Sequence, residues 1–235
     1  MPKISFVMPA KNRDDLIAES IQSIVNQSFA DWELIIVDNH SDRNDETSEI
    51  VQSFDDKRIR YFRLNDKDCI GISCARNFGN KKALSPIIAV ADSDDLSLPK
   101  RASLIWDSYQ REKWDVFYGK YLKLIDETGE VTEPDSQPIS YSFVDYLNRK
   151  FFIPHSSSAY RKEIADLFPY DQSLNIAEDF DFFLRVGASG KKFYFCPEFI
   201  YKYRVHNKSV TKGKGFHDIE DAIIKKHGLD RYQQT

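Results

Sequence analysis

Two groups of acidic residues in this sequence have the types and spacing of a catalytic site, and the first is a tetrad at 92–95. It reads Asp-Ser-Asp-Asp and directly follows an apolar run at 87–91. Carboxylate oxygens are the preferred ligands of Mg²⁺ and Mn²⁺, and a diphosphate can complete the coordination of such a metal. The tetrad therefore indicates a site for a divalent cation and a phosphorylated ligand. The alternative interpretation is an acidic turn before a helix, with Ser97 as the helix cap and Pro99 in its first turn.

The second group is the pair Glu178 and Asp179, at the start of a segment, 177–188, whose apolar residues have helical spacing. An aspartate within hydrogen-bond reach of an alcohol can take its proton while the oxygen attacks another atom. The pair is therefore a candidate for general base catalysis. The alternative interpretation is structural, because acidic residues in a first helical turn also stabilise the helix dipole.

The elements that must position these groups alternate, in the first hundred residues, between β-rich and helix-period segments. This alternation is typical of a parallel sheet with helices on its faces. In such sheets ligands bind beyond the carboxyl ends of the strands. We therefore expect the polar residues at 9–13, 38–42 and 92–95, each following a predicted strand, to meet at one crevice. The predicted strands are 4–8, 32–37, 59–64 and 87–91, and the predicted helices are 17–26, 46–54, 72–83 and 101–112.

The pattern loosens after residue 112, where the second half of the chain begins. Further segments are a strand at 116–125, turn residues at 127–140, a helix at 177–188, strands at 192–196 and 199–205, and a last helix at 218–228. Together the segments predict an α/β fold in one continuous domain, with a mainly parallel central sheet flanked by helices and a small additional region.

The composition is that of a soluble globular chain, with 235 residues, 41% hydrophobic and 30% charged. The net charge of −4 gives no overall positive field, so we expect no nucleic-acid partner. Apolar runs such as 86–91 are far shorter than the roughly 20 residues that a membrane span needs. Residues 1–3 lead straight into the first strand without an apolar signal region, which favours a cytoplasmic location. Three cysteines without a CxxC spacing, Cys69, Cys74 and Cys196, suit buried thiols in a reducing compartment.

Several short stretches, in this order, resemble the family 2 glycosyltransferases, which have a GT-A fold. The resemblance spans most of the chain, and the tetrad at 92–95 has the family's position and spacing. Glu178-Asp179 resembles the family's ED motif, and 203–206 (Tyr-Arg-Val-His) resembles a C-terminal element. The other matching stretches are 7–13 (Val-Met-Pro-Ala-Lys-Asn-Arg), 23–29, 32–39 and 71–79.

The resemblance implies that the residues after the first two strands cradle the nucleotide of a sugar donor. The expected nucleotide-binding residues are Pro9, Ala10, Asn12, Arg13, Asp38, Arg76, Asp92 and Ser93. The chemistry agrees, because a carboxylate such as Asp38 can accept a charge-assisted hydrogen bond from a nucleobase, and the guanidinium of Arg76 suits a diphosphate. Without the family context, an Asx-type turn at Asp38 and a salt bridge at Arg76 are the alternatives.

The resemblance also assigns the metal and the base. The expected ligands of Mn²⁺ or Mg²⁺ are Asp94, Asp92 and His206. A lone histidine at a strand end is also a common structural residue, and this alternative stays open for His206. Asp179 is the expected general base and Glu178 an orienting residue. The basic stretch 212–215 either closes over the donor or is a solvated loop.

The implied activity is inverting transfer of a sugar from a nucleotide diphosphate, with UDP as the default, to a hydroxyl of a glycan or lipid-linked acceptor in cell-surface polysaccharide synthesis. The nucleotide-sugar-binding half is then 1–112, the acceptor-binding and catalytic-base half 113–217, and the C-terminal helix and tail 218–235. Such an acceptor would bring the protein to the inner face of a membrane. The alternative is a catalytically silent binding module or transferase subunit. A nicotinamide-dependent enzyme is excluded, because 9–13 contains no glycine.

Overall fold

The computed structural model describes residues 1–64, 70–174, 176–207 and 216–232. Its strands are β1 (Ile4–Ala10), β2 (Trp32–Asp38), β3 (Ile59–Arg63), β4 (Ile87–Val90), β5 (Leu96–Ser97), β6 (Val116–Ile125), β7 (Val131–Thr132), β8 (Ala159–Arg161) and β9 (Phe193–Val205). Its helices are α1 (Ile17–Val25), α2 (Thr47–Gln52), α3 (Ile72–Lys82), α4 (Arg101–Glu112), α5 (Phe143–Leu147), α6 (Lys162–Leu167), α7 (Glu178–Ala188) and α8 (His217–Lys226). Two 3₁₀ turns lie at His155–Ser157 and Asp230–Tyr232.

The strands form one sheet in the order β3-β2-β1-β4-β8-β6-β9-β5, with β7 added beside β6. The first four strands in this order are parallel, as predicted. The sheet then changes direction, because β8 is antiparallel to both β4 and β6, and β5 is antiparallel to β9. The α/β class and the mainly parallel sheet are therefore confirmed, and the short antiparallel strands β5, β7 and β8 make the sheet mixed.

The predicted helix at 101–112 and strand at 116–125 match α4 and β6 residue for residue. The two strands predicted at 192–196 and 199–205 are one strand, β9, with an irregular register where it passes Gly119–Tyr121 of β6. The structure adds five short strands and helices that we did not predict, among the described residues: β5, β7, β8, α5 and α6. Ser97 lies in β5, and α4 begins at Arg101 without a side-chain cap, so Ser97 is not the cap of this helix.

The parallel half of the sheet is buried on both faces. Every residue of β1, β2 and β4 is buried, as expected when helices cover both sides of a parallel sheet. Neighbouring residues of β1 face opposite sides, so Phe6 and Val7 belong to two different apolar clusters. Gly79 lets α3 approach this sheet closely, because a Cβ atom there would lie 2.4 Å from Cγ1 of Val7. Close packing of α3 matters for function, since this helix carries Arg76.

The structure bears on two expectations from the sequence, one about membrane-spanning segments and one about the cysteine thiols. Among the described residues, no helix combines the length and apolar character that crossing a membrane requires. Cys196 is buried and free, as expected, whereas Cys74 is disulfide-bonded, so the prediction of free thiols is wrong for Cys74. Cys69 and the basic stretch 212–215 lie outside the described residues.

Candidate active site

The polar residues that follow β1, β2 and β4 meet at one edge of the sheet, as the strand order requires. Asn12 has a left-handed backbone (φ 51°), and its amide N–H donates to Oγ of Ser41 at 2.9 Å. Its side-chain Nδ2 donates to Oδ2 of Asp42 at 2.9 Å. Arg13 extends the other way, and its Nη2 lies 3.3 Å from Oδ2 of Asp94. The loops after β1, β2 and β4 are therefore linked by side chains into one crevice.

The backbone floor of this crevice comes from the ends of β1 and β2. Pro9 pairs with Val37, and Ala10 pairs with Asp38, in the parallel register of the two strands. The Asn39 amide donates to the Ala10 carbonyl at 2.7 Å. The segment that we expect to cradle the nucleotide is thus held in place by the sheet itself.

Asp38 is fully buried at the end of β2. Its Oδ1 accepts a hydrogen bond from the amide of Ser41 at 2.8 Å, which is the Asx-type turn that we gave as the alternative. Its Oδ2 accepts from the hydroxyl of Tyr61 at 2.6 Å and lies 3.7 Å from the guanidinium of Arg63. The Asx turn is therefore present, and the nucleobase contact of Asp38 stays a prediction that requires one of these partners to move.

Asp94 is a partly exposed carboxylate of the tetrad, with a side-chain exposure of 21% against 25% for Asp92. Its Oδ2 lies 3.2 Å from Nε2 of His206, which comes from the end of β9. The structure thus places two of the three expected metal ligands beside each other, although the sequence separates them by 112 positions. Asp92, the third, faces Arg76 and Ser156 instead.

Arg204 forms hydrogen bonds to two residues of the tetrad, and we did not predict a role for it from the sequence. Its Nε donates to the Asp94 carbonyl at 2.8 Å, and its amide donates to Oδ1 of Asp95 at 2.8 Å. The guanidinium also pairs with Asp126 at 2.6 Å and with Glu19 at 2.7 Å. The one sequence signal for Arg204 was its position in the stretch 203–206, two residues before His206.

Asp95 and Asp92 have opposite pKa shifts for physical reasons. Burial raises the pKa of Asp95 well above its ordinary value, and the nearby charges of Asp94 and Asp92 add to this effect. Burial is the largest single influence on Asp92 and acts to raise its pKa, but Arg76, His155 and the hydrogen bond from Ser156 together outweigh burial, and the pKa is lowered. Asp92 is therefore the carboxylate that stays ionised inside the site. Ser93 between them is buried.

The acidic pair Glu178-Asp179 begins α7, and Arg76 joins it to the tetrad. Arg76 is 4% exposed, and its Nη2 lies 3.1 Å from Oδ1 of Asp92. Its Nη1 donates to Oε1 of Glu178. The salt bridge that we gave as the alternative for Arg76 is present, but it is buried rather than on the surface. Through this arginine the two acidic groups of the sequence are parts of one arrangement of charges.

Asp179, the residue after Glu178, has a pKa raised to about 7. Burial is the main cause and the neighbouring charge of Glu178 adds to it, while Arg76 acts in the opposite direction. A carboxylate with a pKa near neutrality can both accept and hold a proton at physiological pH, which suits a general base.

Two further residues near the site come from the 3₁₀ turn before β8. Ser156, in the 3₁₀ turn before β8, donates from its Oγ to Oδ2 of Asp92. Its neighbour His155 is buried, its Nε2 lies 2.8 Å from the hydroxyl of Tyr170, and burial together with Arg76 lowers its pKa well below the usual range. His155 is therefore a neutral residue of the interior beneath the site. Neither residue belongs to a sequence motif. Both lie just before β8, a strand that we did not predict, and this strand positions them at the site.

The residues present fit a divalent cation that is only partly ligated by protein. No group of three or more acidic, histidine or cysteine side chains among the described residues is arranged to hold a metal. Asp94 and His206 supply one oxygen and one nitrogen donor side by side. Mg²⁺ usually keeps several waters and is held by one or two carboxylates plus substrate phosphates, so a two-residue protein set is compatible with such a site.

The sequence of residues 5–168, well over half of the chain, matches the profile of the family described as "Glycosyl transferase family 2". The chain belongs to glycosyltransferase family 2. This glycosyltransferase is 30% identical over 212 residues to the "Uncharacterized glycosyltransferase MJ1057" of Methanocaldococcus jannaschii, covering 88% of this chain and 72% of that protein. It is also 30% identical over 220 residues to the "O-antigen biosynthesis glycosyltransferase WbnJ" of Escherichia coli, covering 89% and 82%.

The glycosyltransferase has the GT-A fold of a solved structure. The crystal structure of S. aureus TarS residues 1–349 in complex with UDP-GlcNAc superimposes with a TM-score of 0.74 at 18% sequence identity. The alignment covers 95% of this chain and 66% of the TarS fragment. The shared fold accounts for the change from parallel to mixed strands, which belongs to this architecture.

Proposed function

We propose that this glycosyltransferase moves a sugar from a nucleotide diphosphate to a hydroxyl group of a glycan or lipid-linked glycan, with inversion at the anomeric carbon. The observation that carries the proposal is the bridge from Asp92 through Arg76 to Glu178. It joins the acidic tetrad, where a diphosphate and a metal would bind, to the helix start that carries a carboxylate with a pKa of about 7. A leaving group and a base on one cleft are what glycosyl transfer needs.

On the donor side, the nucleotide would bind along the ends of β1 and β2, at Pro9, Ala10, Asn12 and Asp38. Arg13, which lies 3.3 Å from Asp94, is placed to contact the diphosphate. Asp92 and Ser93 complete the same edge. These assignments are supported by the shared crevice after β1, β2 and β4.

Asp94 and His206 would hold Mn²⁺ or Mg²⁺, with Asp92 close by. When bound, the metal offsets the negative charge that grows on the departing diphosphate. Asp94 is suited to this role because its carboxylate is partly exposed and is oriented from behind by Arg204.

On the acceptor side, Asp179 would take the proton of the attacking hydroxyl. The acceptor oxygen forms a bond to the anomeric carbon as the bond from this carbon to the diphosphate oxygen breaks, and the hydroxyl proton passes to the Asp179 carboxylate. Attack from the face opposite the diphosphate inverts the configuration, and no covalent intermediate with the protein forms. Glu178, held by Arg76, would orient the base.

The relatives support the substrate class. TarS has been crystallised with UDP and with UDP-GlcNAc, which favours a UDP-sugar donor. One relative, 32% identical over half of this chain, is described as a "UDP-Glc:alpha-D-GlcNAc-diphosphoundecaprenol beta-1,3-glucosyltransferase" of Escherichia coli. An acceptor on such a lipid would place the enzyme in the cytoplasm at the inner face of the membrane, working in cell-surface polysaccharide synthesis.

The proposal is tested by incubating the protein with a panel of nucleotide sugars and Mn²⁺, with and without glycan acceptors, and measuring free nucleotide diphosphate. We expect release with one donor that increases when the right acceptor is present and falls when EDTA is added. A catalytically silent binding module would raise its melting temperature with the same donor but release nothing. Binding without release, for every donor and acceptor, would contradict the proposal.

A further inference from the structure

Both terminal nitrogens of the buried Arg76 guanidinium contact carboxylates of the protein itself. Nη1 contacts Glu178 and Nη2 contacts Asp92 at 3.1 Å. Its Nε is buried and has no hydrogen-bond partner among the described residues. Burial acts to lower the pKa of Arg76, but the charge of Glu178, together with Asp92, Tyr170 and Asp179, raises it overall, so the side chain is a permanent cation. A donor diphosphate that contacted this cation would compete with the two carboxylates for it.

The start of α7 depends on this contact. Ala177, just before the helix, has a left-handed backbone with φ 59°, and no side chain caps the helix. Glu178 is buried and is the first helical residue. Asp179 follows directly, and its Oδ1 accepts a hydrogen bond from the Phe180 amide at 2.9 Å. Whatever holds Glu178 therefore also decides where the Asp179 carboxylate lies.

We propose that Arg76 is a positioning residue that holds Glu178 against the donor-side Asp92 and thereby places the Asp179 carboxylate for proton transfer. This inference rests on the proposed function, because it takes Asp179 as the base. It differs from the expectation drawn from the family resemblance, in which Arg76 contacts the nucleotide or its diphosphate.

Two charged groups act on the pKa of Asp179, Glu178 on α7 itself and Arg76 on α3. The phenol of Tyr146 on α5 also faces Asp179, which helps to raise the pKa of this tyrosine well above its usual value, so the phenol is uncharged. Glu178 raises the pKa of Asp179, and Arg76 lowers it. Moving the positive charge away from the pair should therefore raise the pKa of Asp179, whereas neutralising Glu178 should lower it. The two changes have opposite signs, which a general loss of structure would not produce.

The test is a ¹³C NMR titration of the side-chain carboxyl groups, with the Asp179 resonance assigned from an Asp179→Asn variant. The variants are Arg76→Lys, which keeps a charge but cannot bridge two carboxylates, and Glu178→Gln. We expect the midpoint of Asp179 to rise by about one pH unit in Arg76→Lys and to fall by about one pH unit in Glu178→Gln. Arg185→Lys, which alters the Arg185–Asp181 pair on the same helix, is the matched control and should leave the midpoint unchanged.

A second readout separates positioning from donor binding. For Arg76→Lys we expect kcat to fall about tenfold or more, and the dissociation constant of UDP measured by calorimetry to change less than about threefold. A weaker UDP affinity by more than tenfold with an unmoved Asp179 midpoint would overturn the proposal and make Arg76 a donor ligand. The titration needs no substrate, so a failure of the proposed transfer activity would be seen separately, in the wild-type assay.

Discussion

The imidazole Nε2 of His206 lies 3.2 Å from the carboxylate Oδ2 of Asp94. His206 directly follows β9, and Asp94 follows β4. The pair therefore forms only when the later strands of the sheet pack beside the four parallel strands. His206 thus adds a nitrogen donor to the tetrad from a part of the chain 112 positions away. We propose this pair as the position that would hold a cation bound to a diphosphate.

We predict that Asp94→Asn abolishes the metal dependence of UDP binding. In the wild-type protein Mn²⁺ should strengthen UDP binding about tenfold or more, because the cation bridges protein and phosphate oxygens. Calorimetric titration of UDP with and without Mn²⁺ measures the effect. Asp166→Asn, which changes an exposed carboxylate on α6, should behave as the wild type. An unchanged Mn²⁺ effect in Asp94→Asn would remove Asp94 from the metal site.

Arg204 should be required for both stability and donor affinity. Arg204→Met removes the donors to the Asp94 carbonyl, Asp126 and Glu19 while keeping most of the volume. We expect a loss of about 1–3 kcal/mol in the free energy of unfolding and weaker UDP binding. Urea denaturation and calorimetry give the two values. Arg111→Met, on the exposed face of α4, is the control, and equal behaviour of the two variants would contradict this role.

Close packing of α3 on β1 should tolerate no side chain at Gly79. Gly79→Ala places a Cβ atom 2.4 Å from Cγ1 of Val7, so the helix or the strand must shift. Overpacking of this kind costs about 1–3 kcal/mol, against less than 1 kcal/mol gained from the better helix propensity of alanine. The double variant Val7→Ala with Gly79→Ala should be more stable than the sum of the two single changes. If the losses of stability of the two single variants simply add in the double variant, measured by thermal denaturation, the contact between Gly79 and Val7 does not limit the packing of α3.

The raised pKa of Asp179 makes a prediction about stability against pH. The folded state keeps this proton up to about pH 7, whereas the unfolded state releases it near 3.8, so ionisation of Asp179 costs stability as the pH rises through this window. Asp179→Asn cannot ionise. Relative to the wild type, its free energy of unfolding should therefore increase by about 1–3 kcal/mol between pH 5 and pH 8. Denaturation at the two pH values checks this, and a constant difference would mean that the carboxylate is not desolvated.

The sequence was most informative where local patterns decide structure. The parallel strands are short β-rich runs followed by polar residues, so the crevice formed by the residues near Asn12, Asp38 and Asp94 could be predicted from strand order alone. The family resemblance added the pair Glu178-Asp179. Element ends were mostly within two residues, because helix and strand periodicity ends where the polar residues begin.

The parts that could not be predicted depend on contacts between distant residues. The strand β8 has three residues, too few for a periodic pattern, yet it reverses the sheet and brings Ser156 to Asp92. Arg76 contacts Glu178, which is 102 positions away in the sequence. Arg204 contacts Glu19, which is 185 positions away. Ser156, Arg76 and Arg204 are polar or charged and would be expected at the surface from the sequence alone, but the fold buries all three.

Transfer by Asp179→Asn compared with the wild type tests the central claim most directly. With the donor identified by screening, we measure the rate of nucleotide diphosphate release with acceptor present, and the donor affinity by calorimetry. We predict that Asp179→Asn binds the donor with unchanged affinity and transfers about 10²–10⁴-fold more slowly, because the hydroxyl loses its proton acceptor. Transfer at the wild-type rate in Asp179→Asn would contradict the account.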